Sequence, residues 1–208
     1  LNALYDLCSH CYLDAVVQKR RATNENTALI QMVDRLETKH PAIIIADRGY
    51  EAYNILDHIM QRKWFYLIRV RDSRSIISPL VLPEGEFDLP FQIYLTRSQT
   101  KRTKQLQKDH PGIYRYLPST VTLDSLPPEC KDLHPLSFRV VRFLTSDTNT
   151  VTLITNLDAD TFPTVELKHL YHLRWGIETS FRQLKYTIGL SLFQSKKVEY
   201  ITQEIFAR

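Results

Sequence analysis

Long apolar runs are missing from this sequence. None approaches the ~20 residues that a membrane-spanning helix needs, so nothing in it reads as a helical membrane span. The opening Leu1-Asn2-Ala3-Leu4-Tyr5 has neither an initiating Met nor a basic-then-apolar leader pattern, and it reads as the interior of a longer protein. Cysteine is scarce: Cys8, Cys11 and Cys130 form an odd set. That argues against a disulfide framework and for a reducing cytosol. Cys8-Ser9-His10-Cys11 has the spacing of a zinc knuckle but lacks a second ligand pair, so two small residues in or near a strand is the plainer reading. Internal repeats and low-complexity tracts are also missing. No one sign of charge dominates. The formal net charge of +4 is a mild lean toward polyanions that many cytosolic enzymes share.

What is present is ordinary globular composition, with 43% hydrophobic and 24% charged residues in a chain of 208. That length suits one domain, or one domain with a large insertion. Leu4-Tyr5-Asp6-Leu7 and Ala15-Val16-Val17 are short apolar runs separated by a turn-sized gap, and they predict a hairpin. Asn24 can cap a helix running to about Thr38, with Ala28, Leu29, Met32, Val33 and Leu36 at helical spacing. Ile43-Ile44-Ile45-Ala46 is a continuous apolar run, which predicts a strand buried on both faces. It stops at Asp47-Arg48-Gly49-Tyr50. A helix from about Glu51 to Lys63 and a strand from Trp64 to Val70 follow. Strand, helix, strand in this order predicts a parallel pair.

The character changes after Arg71. Residues 72–150 hold most of the prolines and no convincing helical periodicity. Short β-like runs appear at Phe91–Arg97, Ile113–Leu117, Leu136–Leu144 and Val151–Thr155. The stretch from Arg97 to Lys108 carries Arg97, Lys101, Arg102, Lys104 and Lys108 with no acid among them, which fits a basic loop on DNA or a solvated loop equally well. The expected organisation is an α/β fold in three parts: residues 1–71, a β-rich insertion over residues 72–155, and residues 156–208.

A long helix is predicted from about Thr164 to Ile188. Leu170, Leu173, Ile177, Phe181, Leu184 and Ile188 recur every three or four residues and make one apolar face. On the same wheel Tyr171, Arg174, Glu178 and Lys185 fall within about 60° of one another, beside that face, over about 21 Å of axis. A stripe there is held by the core and still meets solvent, with the reach of several phosphates. Periodicity alone leaves an ordinary solvated face open, with helical ion pairs such as Arg174 with Glu178.

The pattern Tyr171-x2-Arg174-x3-Glu178-x6-Lys185 resembles the Y-R-E-K signature of DDE-type transposases of the insertion sequence 4 family. The context resembles it too: Thr155-Asn156-Leu157, Arg174-Trp175-Gly176-Ile177-Glu178-Thr179 and Ile188-Gly189-Leu190. Ala46-Asp47-Arg48-Gly49-Tyr50 is similar to the segment that carries the family's second catalytic aspartate. The resemblance is weakest over residues 72–135.

That resemblance implies an RNase H-like core interrupted by a β-rich insertion. It also implies an acidic triad that holds two Mg²⁺, which Mn²⁺ can replace, for phosphoryl transfer on DNA strands. Asp47 and Glu178 would be the catalytic and metal-ligating carboxylates. Tyr171, Arg174 and Lys185 would hold DNA. Tyr94, Tyr114 and Tyr116 are loose candidates for base extrusion, although strand packing explains them as well. The family's first aspartate lies on a first core strand that is apparently missing here, so it is expected upstream of Leu1. Asp6 is a lesser candidate and Asp14 a weaker one.

The partners implied are transposon ends and target DNA, with a homodimer in the active complex and no membrane. The place implied is the bacterial cytoplasm, at the nucleoid. A fragment without its first aspartate is expected to be inactive by itself. A catalytically dead DNA-binding remnant of a mobile element is the alternative. A nuclease on the same fold would lack the Tyr171-to-Lys185 pattern.

Overall fold

A computed structural model of the chain describes residues 1–18, 24–71, 73–146, 149–186 and 197–206. The chain divides into two compact units, residues 1–38 with 169–208, and residues 39–168.

In the first unit, strands β1 (Asn2–Asp6) and β2 (Cys11–Val16) form the expected hairpin. Its turn is fixed by Asp6, whose carboxylate accepts from the Cys8 amide at 2.9 Å and the Ser9 hydroxyl at 2.5 Å. Helix α1 (Glu25–Arg35) packs on the hairpin and starts where Asn24 Oδ1 accepts from the Thr27 amide. Ala28, Leu29, Met32 and Val33 are buried, the face that the spacing predicts. The helix stops at Arg35, short of Thr38. There the guanidinium forks onto both carboxylate oxygens of Asp14. This unit also holds helix α6 (Val198–Phe206).

The second unit is built on a six-stranded mixed sheet. Strand β3 (Ile43–Ala46), a 3-10 turn at Arg48–Tyr50, helix α2 (Tyr53–Gln61) and strand β4 (Phe65–Arg69) follow in order, and β3 and β4 pair in parallel as expected. Strands β5 (Phe87–Thr96), β6 (Tyr114–Tyr116), β7 (His134–Ser146) and β8 (Asn149–Thr155) occupy the four β-like runs. They do not form a separate sheet. β8 pairs antiparallel with β4, and the full order is β3-β4-β8-β7-β5-β6.

Three expectations need correction. Ile43-Ile44-Ile45-Ala46 is not buried on both faces. β3 lies at a sheet edge, and Ile43 and Ile45 are only half-buried. The doubly buried strand is β4, a neighbour to β3 on one side and β8 on the other, with Tyr66, Leu67 and Ile68 fully shielded.

The basic stretch after Arg97 is a helix rather than a loop. Helix α3 (Lys101–Asp109) starts where Thr100 Oγ1 accepts from the Thr103 amide. It buries no residue, so it has no apolar periodicity to read. Arg97 is not part of its basic surface, because its guanidinium donates to the carbonyls of Leu117, Pro118, Val121 and Leu126 and organises that loop.

The long helix is two helices, α4 (Thr164–His172) and α5 (Trp175–Tyr186). Between them the amides of Arg174, Gly176 and Ile177 bond to carbonyls three residues back, a tighter winding than the α-helix. Ile188-Gly189-Leu190 lies outside the described residues.

Candidate active site

Asp47 follows directly on the carboxyl end of β3. Its side chain caps the 3-10 turn by accepting from the Arg48 amide at 2.8 Å, and its own carbonyl accepts from the Tyr50 amide. The carboxyl group is half-buried. An open α/β sheet presents ligand-binding groups at the carboxyl ends of its parallel strands, and Asp47 has that position.

Glu178 lies in the first turn of α5 and is exposed. Its Oε1 stands 2.5 Å from Arg174 Nη1. The Arg174 guanidinium also lies over the rings of Tyr171, at 5.6 Å, and Trp175, at 5.1 Å. Tyr171, Arg174 and Glu178 are therefore gathered, with Trp175 as a fourth member. Tyr171 is buried, and Arg174 is mostly so. Both helices contribute, so this cluster is not a stripe on one continuous cylinder. Lys185 is exposed, with its ammonium over the Tyr186 ring at 5.4 Å.

The helical ion pair Arg174–Glu178, allowed for by the plainest reading of the spacing, is thus present. Packing sets the placement of α5. Gly176 faces the hairpin so closely that a Cβ would come within 2.9 Å of Leu7 Cδ2. Ser180 donates to the Tyr12 hydroxyl at 2.7 Å, and Phe181 contacts the Tyr12 ring. Burial pushes the Tyr12 phenol up, partly offset by the Ser180 bond.

Thr155-Asn156-Leu157 turns out to have a structural task. Asn156 accepts from the Tyr66 amide and donates to the Trp64 carbonyl, and Thr155 donates to the Tyr66 carbonyl at 2.6 Å. The motif clamps the end of β8 to β4. Tyr94 and Tyr114 stack on each other across paired strands, with ring centroids 5.3 Å apart. Strand packing thus accounts for both, while Tyr116 at the end of β6 is exposed.

The remaining acids near the hairpin are engaged. The Ser9 hydroxyl and the Cys8 amide hold the Asp6 carboxyl below its ordinary value. Asp14 is bound by Arg35. Among the described residues no three His, Cys, Asp or Glu side chains gather as a metal set, and Cys8, His10 and Cys11 do not form one. Carboxylate oxygens are the donors that a hard divalent cation prefers, so Asp47 and Glu178 fit such an ion in kind. Among the described residues no helix is long and apolar enough to cross a membrane.

The sequence reading named Asp47 by its family resemblance, and Tyr171, Arg174 and Glu178 by spacing together with that resemblance. It missed the basic cleft beside Asp47, formed by Arg48, Arg71 and Arg74 with Glu51. The available signal was topological: parallel neighbours bring the loops after their carboxyl ends to the same side of a sheet.

A family model described as transposase DDE domain matches residues 1–208, the whole chain. Comparison with curated proteins finds no match.

Proposed function

Since the chain belongs to the DDE transposase family, whose members cleave and join DNA in transposition and generally use divalent metal ions, we propose that it is a catalytic region of the insertion sequence 4 type. On this reading residues 1–71 and 156–208 supply an RNase H-like core, and residues 72–155 are an insertion whose strands extend the core sheet. Asp47 and Glu178 are the catalytic carboxylates and would hold Mg²⁺, with Mn²⁺ as a substitute. The bound ions would neutralise charge on the attacked phosphate and raise the acidity of the attacking hydroxyl.

The chain's own residues do the rest. Asp47 is oriented by the Arg48 amide. Glu178 is held by Arg174 until it is needed. Tyr171 and Trp175 fix the Arg174 plane, and Arg174 and Lys185 serve phosphates of the transposon end. The active assembly is a homodimer on DNA in the bacterial cytoplasm.

The observation that carries this reading is the position of Asp47 at the carboxyl end of a strand paired in parallel, in a chain matched along its length by the family. Asp6 and Asp14 are assigned to the turn and to Arg35. By the family resemblance, the third carboxylate belongs to a first core strand that would precede Leu1.

The test is strand transfer from pre-nicked transposon ends with Mg²⁺ or Mn²⁺. Residues 1–208 alone should be inactive. The complete gene product should join strands and lose about a thousandfold or more of that rate, roughly 4 kcal/mol, with Asp47→Asn or Glu178→Gln. Variants that join at the normal rate would overturn the assignment. Activity of residues 1–208 that is abolished by both Asp47→Ala and Asp6→Ala would instead make Asp6 the third carboxylate.

A further inference from the structure

The loops that follow β3 and β4 meet beside Asp47 around a cleft of about 290 Å³. Arg48 comes from the first loop, and Arg71 and Arg74 from the second. All three are exposed. Ser75, Ile76 and Tyr53 complete the wall. Arg74 has a left-handed backbone, at φ 55°, a conformation that is strained for a non-glycine residue. The loop is organised from beneath by Glu51, whose carboxylate accepts from the amides of Arg71 and Ile76.

Behind the cleft lies a second basic group. Arg115 is only 8% exposed. It donates to the Tyr53 hydroxyl at 2.9 Å, to the Gly112 carbonyl at 3.1 Å, and to the Ile76 carbonyl. Its Nε is buried and has no hydrogen-bond partner among the described residues. Every described partner of this guanidinium is a neutral oxygen, so its charge is buried without a carboxylate. A buried charge left so is costly unless something answers it. Two of those partners, Tyr53 and Ile76, line the cleft. Because the Tyr53 oxygen accepts from Arg115, its own proton is free to donate into the cleft. The one carboxylate that lines the cleft is Glu51, and burial pushes its carboxyl up, against the backbone bonds and Arg71. Three exposed guanidiniums thus line the cleft with one described carboxylate, and a fourth, Arg115, lies behind two of its wall residues, Tyr53 and Ile76.

We propose that this cleft binds a phosphate group of a DNA strand, next to the phosphate on which Asp47 acts. The chemistry selects phosphate. Arginine forks match its oxygens in pairs, and the clustered charge favours an anion of high charge density. The source follows from the functional reading above, on which this proposal rests. A DNA strand that reaches Asp47 also passes the cleft that begins at Arg48, the next residue along the chain. The cleft sets the position of the strand and carries no base specificity.

The experiment measures duplex affinity against salt for the complete gene product and for its Arg71→Gln/Arg74→Gln double variant. Both residues are exposed, and the thermal midpoint checks folding. The slope of log affinity against log salt should fall by about one unit, for the one phosphate contact that is lost. A second measurement needs only the wild-type protein. In a duplex carrying one neutral methylphosphonate linkage, placed in turn along the strand, one position next to the cleavage site should lower the slope alike. Normal binding with an unchanged slope in the double variant, and no such linkage, would overturn the cleft assignment and leave the transposase reading intact. Failure of the wild-type protein to bind duplex at all would overturn both.

Discussion

The acidic side chains differ in what holds them, and that decides what each can do. Asp6 spends both oxygens on its own turn. Asp14 spends both on Arg35. Glu51 is the opposite case, half-buried under the basic cleft, with burial pushing its carboxyl above the ordinary value of 4.5. A carboxyl whose folded value is raised binds its proton more tightly when folded. Its contribution favours the folded state below 4.5 and is lost as pH rises from there through the raised folded value. Stability measured by urea denaturation should therefore fall across that window, and Glu51→Gln should flatten the fall. A window of equal depth in the variant would show that other groups cause it. Spacing and family context singled out Asp47, Arg174 and Glu178 in the sequence as candidates. The engagement of Asp6 by Ser9 and of Asp14 by Arg35 was not legible there. The Asp14–Arg35 pairing joins residues 21 positions apart, and nothing local encodes it.

Elements were legible where a buried face imposed a period. Helix α1, helix α2 and strands β3 to β8 all fall close to their apolar runs. Reading failed where burial was absent or came from elsewhere. Helix α3 buries nothing, so no apolar period marked it. β3 has an apolar composition that suggests an interior strand, yet its edge position depends on partners that composition cannot name. The break between α4 and α5 falls within a continuous apolar period and is marked by backbone bonds to carbonyls three residues back.

Close approaches at two glycines make a contrast that can be measured. A Cβ on Gly112 would sit 2.9 Å from the Pro79 carbonyl oxygen, a backbone atom that cannot swing away. Gly112→Ala should cost about 1–3 kcal/mol in denaturation. A Cβ on Gly176 meets the tip of a leucine at the same distance. That tip can move, and alanine favours helix by about 1 kcal/mol, so Gly176→Ala should stay within about 1 kcal/mol of the parent. Equal losses at both sites would mean that the Leu7 contact is as rigid as backbone.

At the scale of the whole molecule, the sheet makes the cleft beside Asp47 an outcome of topology. β3 and β4 run parallel, so Asp47 with Arg48 and the pair Arg71 and Arg74 leave the sheet at the same end. β8 locks onto β4 through Thr155 and Asn156, which ties the strands of residues 87–155 to that same frame. The class of fold and the parallel pair were legible from the order of elements. The continuity of the sheet was not, because strand order is a long-range property. On the proposed function, Asp47 and Glu178 serve one metal site. The most direct measurement is anomalous diffraction from Mn²⁺ in a crystal of the complete gene product on a transposon end. A Mn²⁺ peak is expected within about 2–2.5 Å of an oxygen of each residue, with the two carboxyl groups roughly 4–8 Å apart or closer. Mn²⁺ bound by only one of them, with the other still paired elsewhere, would contradict it.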